Sequence, residues 1–202
     1  YSHLYLAIEG QLAAVICIED PLREEVAPVV AALRKAGFDK IVMMTGDSER
    51  IAGSIASKVG VDEYYAEVLP EEKADFVKRE RAAGRKVIMV GDGINDSPAL
   101  SAADVGIAIS DGAQIAREIA DITIEADNLS GLLTLRAISC GLLERIRKNY
   151  IRIVGINSAL ILLGITGRIQ PTSSAMAHNV STLMIGLNSM RNLVDESRDL
   201  MI

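Results

Sequence analysis

Val87-Ile88-Met89-Val90-Gly91-Asp92-Gly93-Ile94-Asn95-Asp96-Ser97-Pro98-Ala99-Leu100 is the stretch on which the fold turns. Its first four residues are apolar with a β-branched bias and stop at Gly91, the pattern of a parallel strand covered on both faces. Asp92 then falls at the carboxyl end of that strand, the edge from which open α/β sheets bind ligands. Gly93 permits a sharp turn, and Asn95, Asp96 and Ser97 are capping residues for a helix that starts near Pro98. Two carboxylates and an amide therefore crowd one loop. Such an oxygen-rich set suits a hard cation such as Mg²⁺, shared with a phosphate. An isolated Gly-Asp-Gly reads equally well as a strand-to-helix turn rich in caps; residues 91–100 taken together are far more specific.

Working outward, residues 1–140 alternate short apolar runs with charged helical stretches at 24–35 and 71–85, the βαβ rhythm of a doubly wound sheet. A short strand over 40–44 runs into Thr45-Gly46-Asp47. An apolar strand over 12–18 is followed by Asp20-Pro21-Leu22-Arg23, and Pro70-Glu71-Glu72-Lys73 opens a helix. Each of these has an ordinary reading by itself: a helix start, a turn, a solvated lysine. Each also falls at a strand end or helix start, where a phosphate site is assembled.

Together and in this order the segments resemble the P-type ATPases, ion pumps built on the haloacid dehalogenase phosphotransferase fold. Residues 91–100 match every fixed position of that family's hinge motif, Gly-Asp-Gly-x-Asn-Asp-x-Pro-Ala-Leu. The resemblance implies that Thr45 of Thr45-Gly46-Asp47 hydrogen-bonds a phosphoryl group and that Lys73 neutralises it. It implies further that Asp92 holds Mg²⁺, and that Asp47, Asn95 and Asp96 shape the hinge and the metal shell. Asp20 lies in a segment similar to the family's Asp-Pro-Pro-Arg, with Leu22 in place of the second proline. The expected fold is a Rossmann-like, doubly wound parallel sheet of haloacid dehalogenase type, incomplete, with ATP and Mg²⁺ as cofactors. It is incomplete because the family's aspartyl nucleophile lies in Asp-Lys-Thr-Gly-Thr, a string found nowhere in the 202 residues. Asp20 lacks that context and is not promoted to the role. The family's nucleotide-binding insertion is missing too, and Tyr1 is no initiator. These observations lead us to expect the carboxyl-terminal part of a longer pump whose amino-terminal part is its partner, and to expect no ATPase activity from the chain alone.

Half of the residues are hydrophobic and the mean hydropathy is +0.26, high for a soluble domain of this size. The excess sits in the tail. Residues 150–170 and 172–193 are each near the ~20 residues that cross a bilayer, and the joint at 164–171 holds two glycines, an arginine and a proline. Arg145, Arg147, Lys148 and Arg152 precede the first span, and Arg191 and Arg198 flank the end of the second. The positive-inside rule puts both ends of this hairpin in the cytoplasm with the catalytic part. The expected organisation is thus a phosphorylation-domain portion over 1–140, two transmembrane helices over 141–194 and a cytoplasmic tail over 195–202, in a multi-pass membrane protein. A helix from about 129 to 164 is expected to couple the two parts. The net charge of −6, with no basic face or aromatic platform, argues against a nucleic-acid partner. Cys17 and Cys140 have no metal or redox spacing and read as small buried hydrophobes.

Two helices after the phosphorylation domain resemble the heavy-metal branch of the family. Polar residues buried in a membrane mark ion paths. His178-Asn179-Val180-Ser181-Thr182 resembles the His-Glu-Gly-Gly-Thr string of a cobalt, zinc or iron subgroup, with Asn179 for the glutamate and Val180 for the first glycine. Asn157 lies where copper pumps carry asparagine and zinc and cadmium pumps carry lysine. Asn157, His178, Ser181 and Thr182 are therefore the candidates for contact with a transported zinc, cobalt, iron, cadmium or copper ion, with His178 equally suited to an interhelical hydrogen bond. Met176, Met184 and Met190 read as packing. Two other classes compete: a stand-alone, membrane-tethered regulatory module that binds phosphate and Mg²⁺ without catalysis, and a small soluble phosphatase with the tail as its cap.

Overall fold

A computed structural model describes residues 2–18, 22–92, 95–109, 118–125 and 128–193. Asp20, Gly93 and the tail segment 195–202 lie outside the described residues. The chain forms two compact units, Tyr1–Ser130 and Gly131–Ile202.

The first unit opens with a hairpin of β1 (Ser2–Ile8) and β2 (Gln11–Ile18). Glu9 and Gly10 form its two-residue loop, both with positive φ, 51° and 78°, the turn geometry that matches the twist of paired strands. The expected strand at 12–18 is therefore present, but it pairs antiparallel with its neighbour. Leu4, Tyr5, Leu6, Ile8, Leu12, Val15 and Ile16 all remain exposed on this hairpin.

The βαβ rhythm follows. Helix α1 (Val26–Lys35) leads into β3 (Val42–Met44), α2 (Glu49–Val59), β4 (Glu63–Tyr65) and α3 (Pro70–Ala82). Then come β5 (Ile88–Gly91), α4 (Ser97–Ala102), β6 (Val105–Ile109) and β7 (Ile122–Ile124). Helix α2 buries Ala52, Ala56 and Val59, one stripe at four- and three-residue spacing. It ends where Gly60 turns left-handed at φ 79°. Arg34, at the end of α1, donates to the Gly60 carbonyl at 2.9 Å and to Asp62 at 2.6 Å, tying two helix ends to the start of β4. Helix α3 starts on Pro70, and Glu72 accepts from the Leu69 backbone N–H at 2.8 Å, satisfying one of the three free donors left at that terminus by Pro70, which has no N–H.

Strands β3 and β4 pair in parallel, and β5, β6 and β7 form a second parallel sheet in that order. Ala74 and Val77 of α3, Met89 of β5, and Ala99 and Leu100 of α4 make the core, with Met44 of β3 packed against them. Gly106 lets β6 pass close under α4: a Cβ there would lie 2.8 Å from the Leu100 carbonyl oxygen. Asp104 clasps the start of both strands. It accepts from the Val87 N–H at 3.0 Å and pairs with Lys86 and Arg81 at 3.2 and 3.3 Å. The Val87 bond first, then these cations, hold its carboxyl below the usual 3.8. One expectation is corrected here. Strand β5 is not covered on both faces, since Ile88 is 43% exposed and only Met89 is buried. Its sheet continues on one side only among the described residues, so its flank lacks the cover a central strand receives.

The second unit is a helical hairpin: α5 (Gly131–Ile165) and α6 (Pro171–Ser189). Helix α5 ends in a Schellman motif: the Gly167 N–H bonds to Gly164, the Arg168 N–H to Leu163, and Gly167 sits at φ 67°. Pro171 starts α6 after Gln170. At the other end Arg145 of α5 caps α6, donating to the carbonyls of Ser189, Arg191 and Asn192. Neither helix buries a residue; large apolar side chains along both are exposed. Among the described residues one helix, Gly131–Ile165, is long and apolar enough to cross a membrane. Helix α6 has the length at 19 residues but not the apolarity, because serines, threonines, asparagines and His178 interrupt it. Cys140 is exposed on α5, against the expectation of burial, in a helix that buries none of its residues.

Candidate active site

The candidate residues follow the carboxyl ends of strands in both parallel sheets. Thr45 follows Met44 of β3, and Asp92 follows Gly91 of β5. The loop after β3 is clamped to the loop after β4 by three backbone bonds, Thr45 N–H to Tyr65, Val68 N–H to Thr45 and Glu67 N–H to Asp47, all at 2.9–3.0 Å. Within it, the Thr45 hydroxyl donates to Asp47 Oδ2 at 2.8 Å and accepts from the Asp47 N–H at 3.1 Å. Ser48 stands at the N-cap of α2 without a side-chain capping bond. The expected helix start is present, and its threonine is held by the aspartate two residues on.

Lys73 and Asp96 form the second pair. Lys73 Nζ lies 2.7 Å from Asp96 Oδ1, with the two side chains only 13% and 14% exposed. Asp96 occupies the N-cap position of α4 yet makes no side-chain capping bond. The expectation that it caps the helix is corrected, because its carboxylate is engaged by the lysine instead. Gly91 is what allows this. A Cβ at residue 91 would come within 2.5–2.9 Å of Asp96 Oδ2, Cβ and Cγ. Asp92 accepts from the Asn95 N–H at 3.1 Å and from its side-chain amide at 3.4 Å, so Asn95 orients the carboxylate.

The two groups belong to two separate parallel sheets among the described residues. Among the described residues β3 is hydrogen-bonded only to β4, and β5 only to β6 among its neighbours. No ladder joins β3 to β5, although Met44 and Met89 share one core cluster. Thr45 and Asp92 stand directly after the carboxyl ends of these two strands, and Lys73 is held on Asp96 of the loop after β5.

In the helical unit His178 Nδ1 and Asn157 Oδ1 are 2.9 Å apart, joining the two helices. The Ser181 and Thr182 hydroxyls both donate to the His178 carbonyl, at 2.8 and 3.0 Å. Among the described residues no three His, Cys, Asp or Glu side chains converge as a metal cluster. Three residues went unread in the sequence: Gly91 as the space for Asp96, Asp104 as the clasp, and Arg145 as a cap. A cap made by a side chain from a different helix has no sequence spacing to announce it. The signal for Gly91 was present, as a glycine between a strand and an acidic loop.

The haloacid dehalogenase-like hydrolase family matches residues 2–104, and a second profile of that description matches 74–135. The chain belongs to the haloacid dehalogenase-like hydrolases. Its relatives within that class are heavy-metal P-type ATPases. It is 42% identical over 189 residues to a zinc-exporting P-type ATPase of Mycobacterium marinum, and 41% identical to a manganese-exporting P-type ATPase of Mycobacterium leprae. Each match covers 93% of this chain and 26% of the relative. A crystal structure of a zinc-transporting PIB-type ATPase in its E2.Pi state superposes with a TM-score of 0.82 at 30% identity, over 94% of this chain and 31% of that one. The chain thus spans about a quarter of the length of the curated relatives it matches.

Proposed function

We propose that this chain supplies the phosphate-handling half of an ATP-driven heavy-metal pump that works through an aspartyl phosphate, with the nucleophile outside the chain. The observation that carries the reading is the pair of strands β3 and β5, joined by no ladder among the described residues, with Thr45 and Asp92 directly after their carboxyl ends and Lys73 held on Asp96. One further parallel strand between them would complete the sheet and set the aspartate at its carboxyl end among these groups.

The chemistry then follows from the residues. A phosphoryl group on a carboxylate carries charge spread over its oxygens, and catalysis consists mainly of placing donors and cations around it. Lys73 has three donors, one of which is on Asp96, and the remaining two suit phosphoryl oxygens. Asp96 holds the ammonium in place. Thr45, held by Asp47, offers a hydroxyl at the same edge. Asp92, an exposed carboxylate oriented by Asn95, is the residue to hold Mg²⁺, which supplies charge neutralisation to the phosphoryl oxygens when bound. Gly46 keeps the β3 loop small, with open space except for the Val68 carbonyl 3.9 Å from a would-be Cβ.

We read residues 1–140 as the phosphorylation-domain portion, 141–194 as two membrane helices and 195–202 as a cytoplasmic tail, with Asp20 in the segment leading from the strand over 12–18. The uncovered apolar surface of both helices supports a bilayer around them. The cargo is a transition-metal ion of the zinc, manganese, cobalt, iron, cadmium or copper class. With Asn157 Oδ1 as acceptor, His178 Nδ1 carries the proton and Nε2 keeps its lone pair, the tautomer of a metal-binding imidazole oriented by a neighbour.

The test is phosphorylation of the full-length gene product from labelled ATP, trapped in acid. We expect an acid-stable, hydroxylamine-sensitive phosphoenzyme that depends on the metal, and a loss of roughly a hundredfold or more in turnover for Lys73→Ala, as for removal of one oxyanion donor. The 202-residue chain alone should form none. A phosphoenzyme on this chain alone would place the acceptor here and overturn the reading.

A further inference from the structure

We propose that the helical unit carries a binding site for the phosphodiester of an anionic glycerophospholipid whose headgroup bears a hydroxyl. It lies at the end of the hairpin remote from the 166–170 turn. The proposal rests on the reading of α5 and α6 as membrane helices.

A cleft of about 320 Å³ opens at this end, lined by Glu144, Arg145, Lys148, Asn149, Arg152 and Asn188 among others. Three cations face one carboxylate. Lys148 answers Glu144 at 2.6 Å, and Arg145 is committed to the carbonyls of Ser189, Arg191 and Asn192 at and just beyond the end of α6. Arg152 makes no hydrogen bond or ion pair among the described residues, so one complete guanidinium fork remains. A guanidinium presents planar donors that match phosphate oxygens in pairs. Asn149 supplies the opposite need. Its Nδ2 donates to Ser189 Oγ at 2.7 Å, but its Oδ1 is fully buried and has no donor among the described residues. A buried acceptor without a partner is costly, and such groups in native folds have an explanation. An ionised phosphodiester alone gives Oδ1 nothing, since it brings only acceptors. A ligand that places an anionic phosphate on Arg152 and a hydroxyl on Asn149 satisfies both. A glycerol-type lipid headgroup does so from the level where this cleft would stand, next to the apolar run from residue 153 to 165. Basic pockets between membrane helices on the cytoplasmic side bind anionic headgroups for this reason.

Native mass spectrometry of the full 202-residue chain, delipidated in detergent, tests it. Phosphatidylglycerol, phosphatidylmethanol (the same charge without the hydroxyl) and phosphatidylcholine of equal chain length are the probes. Phosphatidylglycerol should bind most tightly, phosphatidylmethanol next and phosphatidylcholine least. Arg152→Gln should weaken phosphatidylglycerol by about fivefold, the contribution of one basic residue near a headgroup. Arg168→Gln, which removes the same charge at the other end of the hairpin, should leave it unchanged. Lys148→Gln serves as a second cleft variant should Arg152→Gln lose helicity by circular dichroism. Equal binding of phosphatidylglycerol and phosphatidylcholine, or equal effects of Arg152→Gln and Arg168→Gln, overturns the site. Inorganic phosphate bound in the cleft and not displaced by phosphatidylglycerol overturns the lipid as its source. Extraction of the chain from membranes by alkaline carbonate separates the premises: release into the supernatant sinks the membrane reading, whereas retention without lipid preference sinks this inference alone.

Discussion

At the scale of single residues, the candidate site depends on what is absent at position 91. Gly91 gives Asp96 the space to meet Lys73, and the lysine gives Asp96 the counter-charge that a carboxylate 14% exposed requires. Gly91→Ala sets a methyl against Asp96 Cβ, 2.7 Å away, which no rotamer of the aspartate relieves because Cβ is fixed by the backbone. We expect a loss of about 1–3 kcal/mol in denaturant unfolding of the chain, the cost of overpacking a tight site. The same variant of the full-length protein should turn over ATP more slowly, through a misplaced Lys73. Wild-type stability in Gly91→Ala would show that the loop yields freely. Lys73, Thr45, Asp47, Asp92 and Asn95 were legible as candidates because each stands at a strand end or helix start. Their pairing was not, since Lys73 and Asp96 are 23 residues apart and meet only when α3 packs beside α4.

At the scale of elements, Asp104 holds the start of β5 to the start of β6, and its charge matters. Its carboxyl is held below the ordinary 3.8 by the Val87 N–H first and by Lys86 and Arg81 after it. A carboxylate depressed in the folded state contributes stability that is fully present above its unfolded pKa and is lost as pH falls through the lower folded value. Asp62 works the same way through Arg34 and the Ile41 N–H. The chain should therefore lose stability below about pH 4, where the unfolded carboxylates begin to take up protons. Asp104→Asn should lower the urea midpoint at pH 7, and the gap to wild type should close on acidification. A gap that stays constant down to pH 3 would mean that the charge contributes nothing. Helix lengths were legible at this scale from apolar spacing and terminal glycines. Helix α5, expected over about 129–164, runs from Gly131 to Ile165. Strand partners were less so: an apolar run with β-branched residues fits an antiparallel hairpin as well as a central parallel strand, and the 12–18 run took the former.

At the scale of the whole molecule, the feature that matters is the interrupted sheet of the first unit. Strands at an open edge present unpaired N–H and C=O groups, a template for one more strand. A synthetic peptide with an apolar run ending in Asp-Lys-Thr-Gly-Thr should bind between β3 and β5 and raise the chain's unfolding midpoint in a dose-dependent way, whereas the same residues in scrambled order should not. Equal behaviour of the two peptides would show that the edges do not accept the strand. The exposed apolar residues of β1 and β2 belong to the same scale: seven large apolar side chains stand open to solvent on this one hairpin.

Contiguous motifs carried the resemblance to the family, and apolar spacing with its glycines and proline gave the helical hairpin and its turn. Residues 91–100, Thr45-Gly46-Asp47 and Lys73 are each a contiguous string whose meaning lies in backbone conformation and charge. The tertiary structure decided the rest: which carboxylate Lys73 engages, which strands pair among the described residues, which carbonyls Arg145 caps, and that His178 meets Asn157 across two helices. Those are contacts between residues tens of positions apart. Chain order sets no distance between such groups until packing closes the loops between them.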